Sequence, residues 1–70
     1  MTNTVNHPKH YAFGGIETID YLKAKMTSDE FKGFLKGNVM KYMSRESEKN
    51  GVEYLKKALW YLNYLVEVEE

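Results

Sequence analysis

The sequence predicts an all-α protein in which a long helix and a final helix form a small antiparallel hairpin. Three observations support this prediction. Thr27 followed by Glu30 has the spacing of a capping box, which marks the start of a helix. Apolar residues between positions 52 and 69 recur at intervals of three and four, as they do along one face of a helix. Asn50-Gly51 separates the two segments, and Gly51 suits the left-handed backbone that often follows a helix end.

A short helix and an extended N-terminal arm are predicted before the hairpin. Pro8 disfavours helix in the residue before it, and Gly14-Gly15 supplies a flexible joint. Glu17 and Asp20 near the start of the next segment favour a helix, because the helix dipole attracts negative charge there. The predicted elements are an arm at 1–15, helices at about 16–25, 28–49 and 52–69, and a single helical domain at 16–70.

The composition limits the classes of function. The chain has 70 residues, no cysteine, and ten basic residues against ten acidic ones. Balanced charge argues against binding to long nucleic acid, so any anion site must be local. No apolar run reaches the length of a membrane span and the N-terminus lacks a signal-peptide core, so no membrane partner is expected. The predicted location is a cytosol.

The final helix carries more apolar surface than one partner helix can cover. Its two adjacent stripes consist of Val52, Leu55, Leu59, Leu62 and Val66, and of Ala58, Tyr61, Leu65 and Val68. A chain of this length also buries too little surface to be very stable alone. We therefore predict a homo-oligomer, with Tyr54, Trp60 and Tyr64 contributing to the subunit interface. The alternative is that these aromatic residues are merely half-exposed.

Two glycines and three polar residues distinguish the long helix. Gly33 and Gly37 lie on one side, and each costs about 1 kcal/mol relative to alanine in a helix interior. Such a cost predicts close approach of another helix or of a ligand at this edge.

Asn38, Lys41 and Arg45 are the predicted anion site. On a continuous helix they lie within or beside the apolar face. Arginine offers a planar fork to phosphate, lysine a point charge, and asparagine a donor and an acceptor for a base or sugar. Lys56 and Lys57 are further sources of charge. The alternative is that the two cations pair with nearby carboxylates, namely Glu46, Glu48 or Glu53.

His7 and His10 in the arm are spaced three apart. They are interpreted as loop histidines or ligand contacts, because no carboxylate or third histidine stands at a metal-ligand spacing nearby. Neither a metal nor a cofactor is predicted. No glycine-rich phosphate loop, zinc motif or nucleophile motif is present, so no catalytic residue is assigned.

Four ordered motifs resemble a family of small bacteriophage domains of unknown function, described as SaV-like and often labelled "nucleotide kinase". The motifs are Asn6-His7-Pro8-Lys9-His10-Tyr11; Gly15-Ile16-Glu17; Gly37-Asn38-Val39 with Lys41-Tyr42 and Arg45; and Gly51 with Glu53, Leu55-Lys56-Lys57-Ala58 and Trp60-Tyr61-Leu62. The resemblance implies a phage origin, a nucleotide-type ligand and oligomers. It places the ligand-binding positions at His7, His10, Tyr11, Asn38, Lys41 and Arg45.

The chain departs from the family pattern after Tyr42. Met43-Ser44 replaces a frequent Leu-Trp pair, and Glu46-Ser47-Glu48 replaces a more basic turn, which argues against handling of polyphosphate. The first hypothesis is therefore a helical oligomer in the host bacterial cytoplasm that sequesters a nucleotide or nucleotide-derived signal and so inhibits anti-phage defence. The alternatives are a nucleoside monophosphate kinase without a Walker motif and a protein-binding inhibitor of a host enzyme.

Overall fold

The computed structural model describes the backbone of residues 12–13 and 16–70, and the side chains from residue 17 onward. In this part of the chain, three helices follow a pair of two-residue strands. The elements are β1 (Ala12–Phe13), β2 (Ile16–Glu17), α1 (Thr18–Lys25), α2 (Ser28–Met43) and α3 (Gly51–Glu69). The predicted all-α class is confirmed. No helix among the described residues is both long and apolar enough to span a membrane.

The start of the first predicted helix is corrected by the strand pair. β1 and β2 run antiparallel, with Ala12 opposite Glu17 and Phe13 opposite Ile16, so residues 16–17 are extended and α1 begins at Thr18. Residues 12–13, predicted as part of the arm, belong to the same pair. In the sequence these two segments flank Gly14-Gly15, a pattern that is typical of a β-hairpin.

The capping box at the start of α2 is confirmed. The Thr27 side chain accepts a hydrogen bond from the Glu30 backbone N–H at 3.1 Å, and the Thr27 N–H donates to the Glu30 carboxylate at 2.8 Å. Two otherwise unpaired backbone donors are thereby satisfied, which fixes the first turn of α2.

The predicted end of α2 near residue 49 is wrong, because the helix stops at Met43. The Ser44 hydroxyl donates to the Lys41 carbonyl at 2.7 Å, which is the carbonyl that the Arg45 N–H would bond in a continued helix. The Arg45 N–H bonds instead to the Tyr42 carbonyl at 3.2 Å. A series of tight turns then carries the chain from residue 44 to α3.

Helices α2 and α3 pack antiparallel through aromatic residues. Phe31 near the start of α2 contacts Tyr64 near the end of α3 at a centroid distance of 5.6 Å, and Lys32 forms an ion pair with Glu69 at 3.2 Å. At the other end, Tyr42 stacks on Tyr54. The buried apolar side chains of the described region lie between the two helices and are Phe31, Leu35, Tyr42 and Ala58.

The two predicted stripes of α3 have different environments. Ala58 is buried, and the other members of its stripe are half-buried. The first stripe, here called the outer stripe (Val52, Leu55, Leu59, Leu62 and Val66), has exposed fractions from 42% to 67%. The rings expected at a subunit interface contact rings of their own chain: Tyr54 stacks on Tyr42, and Trp60 lies 5.0 Å from Tyr61 and 5.6 Å from Tyr64. Their part in an interface stays a prediction.

The glycine edge of α2 meets no other element among the described residues, so the predicted close approach of a helix is not found in this part of the chain. A Cβ added to Gly33 or Gly37 would meet no described atom within 4 Å. Helix α3 packs on the face that carries Phe31, Leu35 and Tyr42, so nothing in the described chain approaches the glycine edge. Close approach of a ligand or of a second copy stays a prediction.

Gly51 has a steric role and not the predicted left-handed conformation. It is the first residue of α3, and its φ lies outside the left-handed region. A Cβ at this position would clash with the Glu46 carbonyl oxygen and lie 3.0 Å from the Glu46 carbonyl carbon. The absence of a side chain therefore allows the connecting turns to pass close to the start of α3.

We expect Gly51→Ala to lower the free energy of unfolding by about 1–3 kcal/mol, the usual cost of forced overpacking. Gly37→Ala is the matched control, because it adds the same methyl group in open space. The control should raise stability by up to about 1 kcal/mol through helix propensity. Urea unfolding followed by circular dichroism measures both variants, and equal stability of the two would contradict this role of Gly51.

Candidate functional site

Three tyrosine rings stack where the end of α2 meets the first half of α3. Tyr42 lies between Tyr54 and Tyr61, with centroid distances of 6.1 and 5.9 Å and interplanar angles of 17° and 16°. Tyr54 and Tyr61 are seven residues apart, so both project from one face of α3 toward α2. Tyr42 is buried, whereas Tyr54 and Tyr61 are half-buried.

Three cationic groups surround the stack. Lys41 Nζ lies 4.4 Å from the centroid of the Tyr42 ring, and Arg45 Cζ lies 4.4 Å from that of Tyr54. Lys57 Nζ is 5.6 Å from the Tyr42 centroid and 6.0 Å from the Tyr54 centroid. These distances are within cation–π range, so two tyrosine rings attract all three cations. We call Lys41, Tyr42, Arg45, Tyr54 and Lys57 the tyrosine–cation cluster.

Arg45 occupies a different position from the one predicted. It lies in the turn after α2 and not on the apolar face of the helix, because α2 ends two residues earlier. Its guanidinium donates to one Glu48 carboxylate oxygen, from Nε at 3.4 Å and from Nη2 at 3.3 Å. The alternative prediction, in which a cation pairs with a nearby carboxylate, is therefore confirmed for Arg45, whose partner is Glu48. Both side chains are exposed, and exposed ion pairs of this kind contribute little to stability.

Asn38 is half-buried one turn before Tyr42 on α2. Its side-chain amide donates a hydrogen bond to the Phe34 carbonyl at 2.9 Å. The amide N–H group therefore has a partner on its own helix, which accounts for its place beside the apolar face without a ligand. The remaining predicted ligand-binding residues, His7, His10 and Tyr11, lie outside the described residues.

The structure adds Tyr42 and Tyr54 to the predicted cations Lys41 and Arg45, and it brings Lys57, expected only as a further source of charge, to the same rings. Tyr54 was predicted only as an interface residue and Tyr42 was assigned no binding role, because aromatic residues at helical spacing are usually part of a core. A usable signal existed for Lys57, which follows Tyr54 by three residues on the predicted final helix and therefore lies near its ring. No such spacing predicts the contact of Arg45 with Tyr54, since the two residues lie in different segments.

The arrangement can bind an anion that also has a planar part. Three positive groups provide charge-assisted hydrogen bonds, and the exposed guanidinium over Tyr54 provides a flat surface for stacking. Within the described residues, no three His, Asp or Glu side chains come together as a possible metal site.

Comparison with known proteins is consistent with a phage origin. The chain is 37% identical over 67 residues to "Nucleotide kinase gp1.7" of Escherichia phage T7, an alignment that spans 94% of this chain and 34% of that protein. It is also 37% identical over 66 residues to "Gene 1.7 protein" of Enterobacteria phage T3, over 87% of this chain and 40% of that protein. The chain thus spans only 34% and 40% of the lengths of these two relatives.

No solved structure matches the chain significantly. The match to the family DUF3310, described as proteins of unknown function, covers residues 5–63 and therefore most of the chain. Because the family match and the phage relatives both extend over nearly all of the sequence, the chain belongs to the DUF3310 family.

Proposed function

We propose that this chain is a small helical oligomer that binds a nucleotide or a nucleotide-derived signalling molecule at the tyrosine–cation cluster. The observation that carries the proposal is the convergence of Lys41, Arg45 and Lys57 on two tyrosine rings in a chain whose total charge is zero. A local concentration of positive charge next to ring faces matches a ligand that has phosphates and a base.

The phosphate and the base of the ligand contact different parts of the cluster. Its phosphate accepts hydrogen bonds from Lys41 and Lys57, whose ammonium groups both lie near the Tyr42 ring. Its base stacks on Arg45 or, once the guanidinium has turned toward the phosphate, on Tyr54. Asn38, His7, His10 and Tyr11 remain proposed ligand contacts, with the arm closing over the site.

The biological role that we propose is sequestration in the host bacterial cytoplasm. A phage protein that holds a nucleotide signal would inhibit a host defence that depends on this signal. The more acidic turn that contains Glu46 and Glu48 favours binding without phosphoryl transfer, because its carboxylates repel additional phosphates.

Nucleoside monophosphate kinase activity is the second candidate. It is favoured by the name "Nucleotide kinase gp1.7" that the phage T7 relative carries. Phosphoryl transfer is achieved mainly by positioning and by neutralisation of phosphate charge, and the three cations could contribute to both.

Calorimetric titration with a panel of nucleoside monophosphates, diphosphates and cyclic or linear dinucleotides tests the proposal. We expect saturable binding of at least one member, with the ligand recovered chemically intact after release. Incubation of each monophosphate with ATP and magnesium separates the two candidates, since only a kinase converts the pair to two diphosphates. Absence of both binding and turnover across the panel would contradict both candidates and favour the protein-binding inhibitor.

A further inference from the structure

The outer stripe of α3 has the spacing of a helix–helix seam. Its five residues are separated by intervals of three and four through two heptads, which is the pattern of the a and d positions in a coiled coil. Each remains at least 42% exposed, while Ala58 and Tyr61 occupy the face that α2 covers. The stripe is therefore a second apolar face with no partner among the described residues.

We infer that the outer stripe is the interface between two antiparallel copies of this chain, related by a two-fold axis. The inference rests on the oligomer in the proposed function and supplies its interface, but it does not require nucleotide binding. A two-fold axis lets the same stripe serve as both sides of the contact.

Charge supports the antiparallel orientation. Lys56 borders the stripe in the first half of α3, and Glu67 and Glu70 border it at the other end. Antiparallel copies place Lys56 near the carboxylates of the other copy at both ends of the seam. Parallel copies would place Glu67 and Glu70 beside their own counterparts, next to two helix C-termini that already carry partial negative charge.

The stripe also determines the register. An axis between Leu59 and Leu62 places Leu59 against Leu62 of the second copy and Leu55 against Val66 of the second copy. Lys56 then lies opposite Leu65 of the second copy, about 3 Å along the axis from Glu67 and about 7.5 Å from Glu70 of that copy. Beyond Val66 the next seam position is Glu69, which is paired with Lys32 of its own chain, so the apolar contact ends there.

The stripe and its border have the composition of a specific interface. Stable interfaces bury about 800 Å² per partner, with an apolar centre and a polar rim. Leu55, Leu59, Leu62 and Val66 of the two copies provide the centre, and Val52 lies opposite Glu69 of the second copy at each end. The rim consists of Lys56, Asn63 and Glu67, all of which are exposed.

The first test is the oligomeric state of Leu59→Lys, measured by sedimentation velocity without nucleotide. We expect the parent chain to be a dimer, or an even multiple of one, at micromolar concentration, and the variant to dissociate at least about 100-fold more readily. Met40→Lys is the matched control, because it adds the same charge at an apolar residue that is 69% exposed and lies outside the stripe. A monomeric parent, or equal effects of the two variants, would overturn the inference.

The second test determines orientation and does not depend on a destabilising charge. The chain has no cysteine, so Leu55→Cys and Val66→Cys each introduce a single thiol. When the two variants are mixed and mildly oxidised, antiparallel copies form mainly the mixed disulfide, identified by its mass. Parallel copies would form only the two symmetric disulfides. Ala24→Cys, on the exposed surface of α1, gives the disulfide yield that random collision alone produces. A yield of the mixed disulfide no greater than this background yield would overturn the inference.

The experiments give different results if the inferred interface is wrong and if the proposed nucleotide site is wrong. If Leu59→Lys is monomeric, helical and still binds nucleotide, the seam is supported and the site lies within one chain. If the parent dimer forms but no nucleotide binds, the seam stands and the proposed ligand is wrong.

Discussion

Arg45→Ala is expected to weaken nucleotide binding about ten- to 100-fold and to leave the fold intact. A charge-assisted hydrogen bond to phosphate contributes about 1.5–3 kcal/mol, which corresponds to this range. The fold should tolerate the change, because Arg45 is exposed and lies after the end of α2. Lys57→Ala should have an effect of similar size, since its ammonium group approaches the same rings from α3.

Calorimetric titration with the nucleotide that binds the parent chain measures these losses. Lys36→Ala is the matched control, because it removes an equal charge from an exposed position of α2 outside the cluster. Glu48→Ala should instead strengthen binding several-fold, since Glu48 competes with phosphate for the Arg45 guanidinium. An unchanged affinity of both Arg45→Ala and Lys57→Ala would place the site elsewhere, and loss of fold in Arg45→Ala would give the arginine a structural role.

Leu35→Ala is expected to lower the free energy of unfolding by about 2–5 kcal/mol. Leu35 is completely buried between α2 and α3, so the truncation leaves a cavity that the neighbouring rings cannot easily fill. A 70-residue chain has only a few kcal/mol of stability to lose, and we therefore expect the variant to be largely unfolded at 37 °C.

Thermal unfolding followed by circular dichroism measures this effect. Leu62→Ala removes the same atoms from the outer stripe and serves as the control. At concentrations low enough to dissociate any dimer, it should cost much less than Leu35→Ala. Equal losses for the two variants would contradict the assignment of Leu35 to the core.

Local interactions in this chain were predictable from sequence, and contacts between helices were not. The Thr27–Glu30 capping box depends on four consecutive residues, so its spacing was enough. At the end of α2 the Ser44 hydroxyl bonds to the Lys41 carbonyl and the Arg45 N–H to the Tyr42 carbonyl, and helical periodicity predicts neither bond. Because α2 was predicted to continue to about residue 49, Arg45 was also predicted on the apolar face of this helix, where it does not lie.

The tyrosine–cation cluster required the register of α3 against α2. Tyr42 and Tyr54 are twelve residues apart, and their stacking follows from the length of the turns and the close passage at Gly51. The periodicity of α3 did reveal two apolar stripes, but it could not show which stripe faces α2. In the structure the stripe with Ala58 faces α2, so the outer stripe is exposed and a second copy can pack on it.

The continuity of the aromatic contacts has an optical consequence. Trp60, the only tryptophan of the chain, lies 5.0 Å from Tyr61, which stacks on Tyr42 and through it on Tyr54. Rings this close share excitation energy, so light absorbed by the tyrosines is emitted largely by the indole. A molecule that displaces Arg45 from the Tyr54 ring would change the surroundings of Tyr54, the last ring in this series of contacts. The unlabelled protein thus carries its own fluorescent reporter of events at the cluster.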